Sequence, residues 1–194
     1  VKLDAVHDLQ AVFRELMLAV AFPGSERRIG EEASRIDIDA PLPKSLLVVA
    51  LALLDAETSF ALAPDDEVAA SFLARMTYAR RVPLSEADFV FVPGGEGNIA
   101  RAIAEAREGT LIDPHLGATI VALVDSLGSG PAIGLSGPGI ESRAELRAGS
   151  SAPWLAARER KNREYPLGVD LYLVDVSGGI AALPRATRAV MEER

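Results

Sequence analysis

The chain has 194 residues, with 28 acidic and 20 basic side chains, a formal net charge of -8 and no cysteine. That length suits one domain with a substantial core and no need of disulfides, and the missing cysteines exclude thiolate nucleophiles, zinc-thiolate sites and iron-sulfur ligation. The acidic excess argues against a general nucleic-acid or anionic-membrane surface, while a local basic pocket stays open.

Val6, Leu9, Val12, Phe13, Leu16, Met17 and Val20 recur at three- and four-residue steps before Pro23-Gly24, which predicts an amphipathic helix over residues 5–21. Its N-terminal polar residues Asp4, His7, Asp8 and Gln10 do not suit a signal segment. Pro43 opens a second helix, Lys44 to Asp55, apolar on nearly all sides and therefore buried. The longest apolar run, Leu46 to Leu54, has nine residues, against the roughly 18 to 20 that a membrane span requires. A soluble, cytoplasmic protein is expected.

Strands are predicted at Phe60 to Leu62 and Ala87 to Val92, with a helix between them that Asp65 or Asp66 caps and that runs through Val68, Phe72, Leu73 and Met76. After the Gly94-Gly95 turn, Glu96 to Arg107 reads as a helix, then Thr119 to Leu127 and Ala132 to Leu135 as a pair of strands closed by the bend Ser136 to Gly139. Residues 151–164 hold Trp154, Leu155 and a dense run of charge, which suits an exposed helix with Glu159 paired to Arg163. Val169 to Val174 and Ile180 to Leu183, joined by Asp175 to Gly179, form a hairpin ending at Pro184. No linker or repeat interrupts the chain. The expectation is a single α/β domain over residues 1–194, a mixed β-sheet flanked by helices with at least one antiparallel hairpin.

Several motifs invite chemistry. Gly95-x-Gly97-x-x-Ala100 follows a strand and opens a helix, as dinucleotide-binding turns do, but the acidic strand end needed about 20 residues on is absent, the next strand ending near Asp125. A flexible turn with helix-start glycines is the better reading. Gly134-Leu135-Ser136-Gly137-Pro138 resembles a nucleophile elbow with proline in place of its last glycine, and both histidines, His7 and His115, precede the serine. Two distant histidines and no cysteine give no metal set. Lys2, Lys44 and Lys161 lie at the terminus, a helix start and a charged helix, so none suits a Schiff base, and no P-loop sequence occurs.

Two stretches remain as candidate anion sites. The bend containing Ser136, Gly137, Pro138 and Gly139 offers backbone amides to a phosphate, or simply turns the chain. Arg185, Thr187 and Arg188, beyond Pro184, offer guanidinium and hydroxyl donors to a phosphate or phosphonate, or form a salt-bridged edge or subunit contact.

Motifs along nearly the whole chain resemble one family. Phe13-Arg14-Glu15-Leu16-Met17 with Pro23-Gly24, Leu53-Leu54-Asp55-Ala56-Glu57-Thr58, and Gly109-Thr110 with Pro114 and Gly117-Ala118-Thr119 come first. Leu135-Ser136-Gly137-Pro138-Gly139-Ile140, Pro166-Leu167-Gly168-Val169-Asp170-Leu171 and Leu183-Pro184-Arg185 with Thr187 follow. Together, in this order and spacing, they resemble the H subunit of the carbon-phosphorus lyase core complex. Tyr165 stands where the family usually has Phe, and Ala186 where it usually has Thr.

The resemblance implies a fold similar to pyridoxal-dependent transferases that has lost the cofactor lysine and binds no cofactor. It implies a homodimer in isolation, inactive alone, that joins the G, I and J subunits. In that family the H, G, I and L subunits support transfer of the ribose triphosphate of ATP to methylphosphonate with release of adenine, and radical cleavage belongs to another subunit. The competing expectation is a free-standing enzyme or nucleotide binder using the Gly95 to Ala100 loop or the Gly137 to Gly139 bend.

Overall fold

A computed structural model describes residues 2–149 and 152–192. Helix α1 spans His7–Ala21 and buries Asp8, Val12, Leu16 and Ala19, the three- and four-residue steps of its inner face. A two-residue strand β1, Arg27–Arg28, and a short helix α2, Gly30–Ser34, lead to α3, Lys44–Leu53. Six successive α3 residues, Ser45 to Ala50, are buried, as its all-round apolar sequence requires. Strand β2, Ser59–Leu62, precedes α4, Glu67–Thr77, which the carboxylate of Asp66 caps by accepting from the N–H groups of Val68 and Ala69 at 2.9 and 3.0 Å.

Strand β3, Arg80–Arg81, and β4, Phe89–Val92, are followed by α5, Glu96–Glu105, and β5, Thr119–Val124. The remaining elements are β6, Leu127–Ser136; β7, Ala144–Ala148; α6, Ala152–Lys161; β8, Asp170–Asp175; β9, Gly179–Leu183; and β10, Arg188–Met191. The main sheet has seven strands in the order β1-β9-β8-β5-β4-β2-β3. Its members from β8 to β3 are parallel, and β9 and β1 add antiparallel neighbours at the other side.

Strand alternation sends side chains to two cores. Phe60, Leu62, Phe91, Val121, Tyr172 and Val174 face α1, α3 and α4, whereas Ala61, Val90, Val92, Ile120, Leu171 and Leu173 face the opposite layer. This double burial explains why β2, β4, β5 and β8 read as unbroken apolar runs. Complete burial of one such Phe or Leu side chain contributes about 1.5–3 kcal/mol.

The second layer departs from expectation. A separate antiparallel sheet, ordered β10-β6-β7, covers it beside α5 and α6. The two stretches predicted as a strand pair, Thr119 to Leu127 and Ala132 to Leu135, therefore belong to different sheets: β5 ends at Val124, and Leu127 already opens β6. The charged helix is no solvated rod either. Trp154, Leu155, Ala157 and Arg158 are buried, and Glu159 and Arg163 form no ion pair among the described residues. Packing of α6 against α5 overrides what its charge suggests.

Candidate functional site

Three segments converge on one face. They are the C-terminal half of α6, the turn Pro184 to Thr187 between β9 and β10, and the bend that ends β6. They enclose a groove of about 640 Å³. Four arginines, Arg158, Arg163, Arg185 and Arg188, line it, with Glu159 as the one acidic lining residue.

Arg158 forms the buried floor, 3% exposed. Its Nη2 donates to the carbonyls of Pro184 at 2.6 Å, Thr187 at 3.0 Å and Leu183 at 3.3 Å, and its Nε has no hydrogen-bond partner. Burial lowers its pKa to about 10, against the opposing pull of the Asp170 charge, so the group stays cationic at neutral pH. Thr187 is equally buried and its hydroxyl is likewise unpartnered.

Arg185 is held differently. Its backbone N–H donates to Asp170 Oδ1 at 2.7 Å, and its Nε and Nη2 donate to Asp170 Oδ2 at 3.1 and 2.6 Å. Nη1 reaches the Pro114 carbonyl at 2.7 Å and Nη2 the Gly117 carbonyl at 3.3 Å. Most of its donors thus serve the protein itself. Arg163 and Arg188 are the reverse: both are exposed, and neither has a partner among the described residues.

The structure brings together most of the residues singled out in the sequence. Arg185 and Thr187 line the groove with Pro138. Gly137, at φ +133°, packs against the turn, where an added Cβ would stand 3.0 Å from the Ala186 carbonyl oxygen. Ser136 lies at the end of β6 in register with Arg188. Gly139 does not line the groove; an added Cβ there would stand 2.5 Å from the Ala21 carbonyl oxygen and 2.9 Å from the Pro23 ring at the end of α1.

Sequence reasoning missed Arg158 as a buried cation. The signal existed: Arg158 stands four residues after Trp154, on the same helical face.

The other motifs lie apart. His7 pairs with Asp4 at 3.0 Å near the N-terminus, and His115 is exposed in the short Pro114–Leu116 turn. Lys44 donates to the Ile36 carbonyl, and Lys161 to that of Ala104. Gly94 and Gly95 follow β4 at the start of α5, held by the Asn98 amide donating to the Gly94 carbonyl at 3.0 Å. Among the described residues no cluster of three or more histidines or carboxylates could hold a metal ion, and no helix is long and apolar enough to cross a membrane.

Fold and groove define a layered α/β protein with a basic cleft, in a chain that is acidic as a whole. Residues 2–190 match the family described as bacterial phosphonate metabolism protein (PhnH), and the chain belongs to that family. It is 34% identical over 179 residues to HtxG of Stutzerimonas stutzeri, a protein named as a candidate C-P lyase subunit, covering 92% of this chain and 84% of the relative. The family resemblance carried by the spaced motifs is thereby borne out.

Proposed function

We propose that the chain is a subunit of a carbon-phosphorus lyase core complex. In this reading it supports transfer of the ribose triphosphate of ATP to methylphosphonate with release of adenine, assembles with the G, I and J subunits, and is a cytoplasmic homodimer when isolated. The observation that carries it is the match to a phosphonate-metabolism family across residues 2–190. The likeness to HtxG over 92% of the chain agrees with it.

One feature of the molecule supports a role in assembly. Phe13, Met17 and Phe22 leave 46%, 46% and 56% of their surface exposed on or beside α1, which suits contact with another subunit. The kinship to pyridoxal-dependent transferases belongs to the same reading, and no cofactor is assigned to the chain.

The test mixes the purified chain with the G, I and J subunits, measures assembly mass by light scattering, and follows adenine release from ATP and methylphosphonate after L is added. Incorporation together with adenine release that falls when this chain is omitted supports the proposal. A chain that stays apart, with adenine release indifferent to it, refutes it.

One observation favours a second reading, a free-standing nucleotide binder. The Gly94 to Gly97 loop lies at the carboxyl end of parallel strand β4, and an added Cβ at Gly94 or Gly97 meets no atom within 4 Å. Saturable ATP binding by the isolated chain, lost on Gly97→Asp, supports that reading; no binding removes it.

A further inference from the structure

We propose that the groove between α6, the Pro184 to Thr187 turn and the β6 bend binds a tetrahedral phosphorus oxyanion, with Arg163 and Arg188 as its direct ligands. This inference deepens the site described above, yet it concerns the isolated chain and does not depend on the assembly or reaction proposed for it.

Charge is the first argument. The chain carries a net charge of -8, but four arginines face one glutamate across this groove. A concave, walled cleft of one sign focuses its field and concentrates counter-ions. Elsewhere on the surface carboxylates neutralise many guanidinium groups, Arg81 pairing with Asp65 and Glu67, Arg101 with Glu105, Arg143 with Glu192 and Arg147 with Glu145, while the exposed Arg14, Arg75, Arg80 and Arg160 stand without an acidic partner among the described residues but line no such groove. Arg163 and Arg188 have no such partner among the described residues, and guanidinium forks match the paired oxygens of phosphate or phosphonate.

The second argument comes from beneath the surface. Arg158 Nε and Thr187 Oγ1 are two of the three buried side-chain polar atoms without a partner among the described residues, and both belong to groove-lining residues. Unsatisfied buried donors are rare and mark strain, function or a missing partner. Arg158 also places a cation under the groove whose acceptors are neutral carbonyls alone. An anion seated above it supplies the charge that those carbonyls lack.

Shape supplies the third. Gly137 lets the β6 bend close against Ala186, so the wall opposite α6 is preformed. About 640 Å³ falls within the range of small-molecule pockets, roughly 300–1,000 Å³, and leaves room for more than one phosphate group.

Calorimetric titration of the whole chain at low salt tests the site, with inorganic phosphate, methylphosphonate and tripolyphosphate as separate probes. Saturable binding that weakens as sodium chloride is raised is expected. The double variant Arg163→Ala, Arg188→Ala should lose about tenfold or more in affinity; both side chains are exposed, so a native thermal melt verifies that the fold persists. Arg160→Ala removes one positive charge from the last turn of α6, outside the groove, and should bind as the parent does.

Tighter binding of tripolyphosphate than of phosphate assigns the groove to a phosphate chain, and equal affinity assigns it to a single group. The proposal fails if binding is absent, if the double variant binds as well as the parent, or if Arg160→Ala is as damaging. Acetate competing as well as phosphate would likewise overturn the tetrahedral assignment.

Discussion

The guanidinium of Arg185 joins three parts of the chain at once: the start of β8 through Asp170, and the Pro114 and Gly117 carbonyls ahead of β5. With 14% and 31% of their side chains exposed, Arg185 and Asp170 form a half-buried pair. Loss of one partner strands the other. Arg185→Ala should therefore cost about 2–4 kcal/mol in urea unfolding, and Arg185→Lys should recover little, because an ammonium cannot span Asp170 and both carbonyls. An Arg185→Ala variant as stable as the parent would contradict this. Thr187 makes the opposite prediction. Its hydroxyl has no partner, so the isosteric Thr187→Val should leave the unfolding free energy unchanged or raise it, by up to about 1 kcal/mol; a clear loss would reveal a bond that the geometry does not contain. At this scale the sequence was partly legible. Arg185 and Thr187 stand out because they follow a proline at a strand end, but only the fold shows how their donors are directed. Arg158 was hidden inside a charge run whose members look alike until a helix partner buries one face.

Asp175 links elements rather than residues. From the end of β8 its carboxylate accepts from the N–H of Leu127 at 3.1 Å, fastening the first residue of β6, and from the N–H groups of Ser177 and Gly179, both at 2.9 Å, shaping the β8–β9 turn. Burial alone would raise its pKa, but hydrogen bonds from Ser177, Gly179 and Leu127 outweigh burial and hold it below the ordinary carboxylate value. A carboxyl whose folded pKa lies below its unfolded one adds stability above the unfolded value, about 4, and loses it as pH falls through the folded value. Asp175→Asn should cost about 1–3 kcal/mol at pH 7, and the gap from the parent should narrow below about pH 4. Urea melts at both pH values read this directly; a gap unchanged by acid would sink the argument. Elements such as α1 and α4 with its Asp66 cap were readable because each repeats one period in side chains, and the parallel strands because they form short unbroken apolar runs. Of the second sheet only the stretch Ala132 to Leu135 within β6 was readable. Its central strand β6 contains Gly128, Gly130, Pro131 and Gly134, a composition that signals turns, and β7 and β10 alternate too few apolar residues to stand out. Only pairing across the chain makes strands of them.

At the scale of the whole molecule, the seven-stranded sheet is common to both cores, so neither core can open without stripping one face of the other's strands. Trp154, the single tryptophan, is 1% exposed in the layer formed by α5, α6 and the second sheet. Its fluorescence therefore reports that layer, and far-UV circular dichroism reports the entire fold. The two should trace one coincident denaturation curve, as expected of a cooperative domain; separated midpoints would mean that the layers unfold independently. The margins of that sheet carry a further consequence. On either side it ends in a strand of two residues, Arg27–Arg28 and Arg80–Arg81. Strands so short expose few unpaired main-chain groups, and charged side chains on them obstruct the approach of another strand. Backbone zippering onto this sheet thus finds little template at either border, and the longer edge strands of the molecule are β7 and β10 of the second sheet.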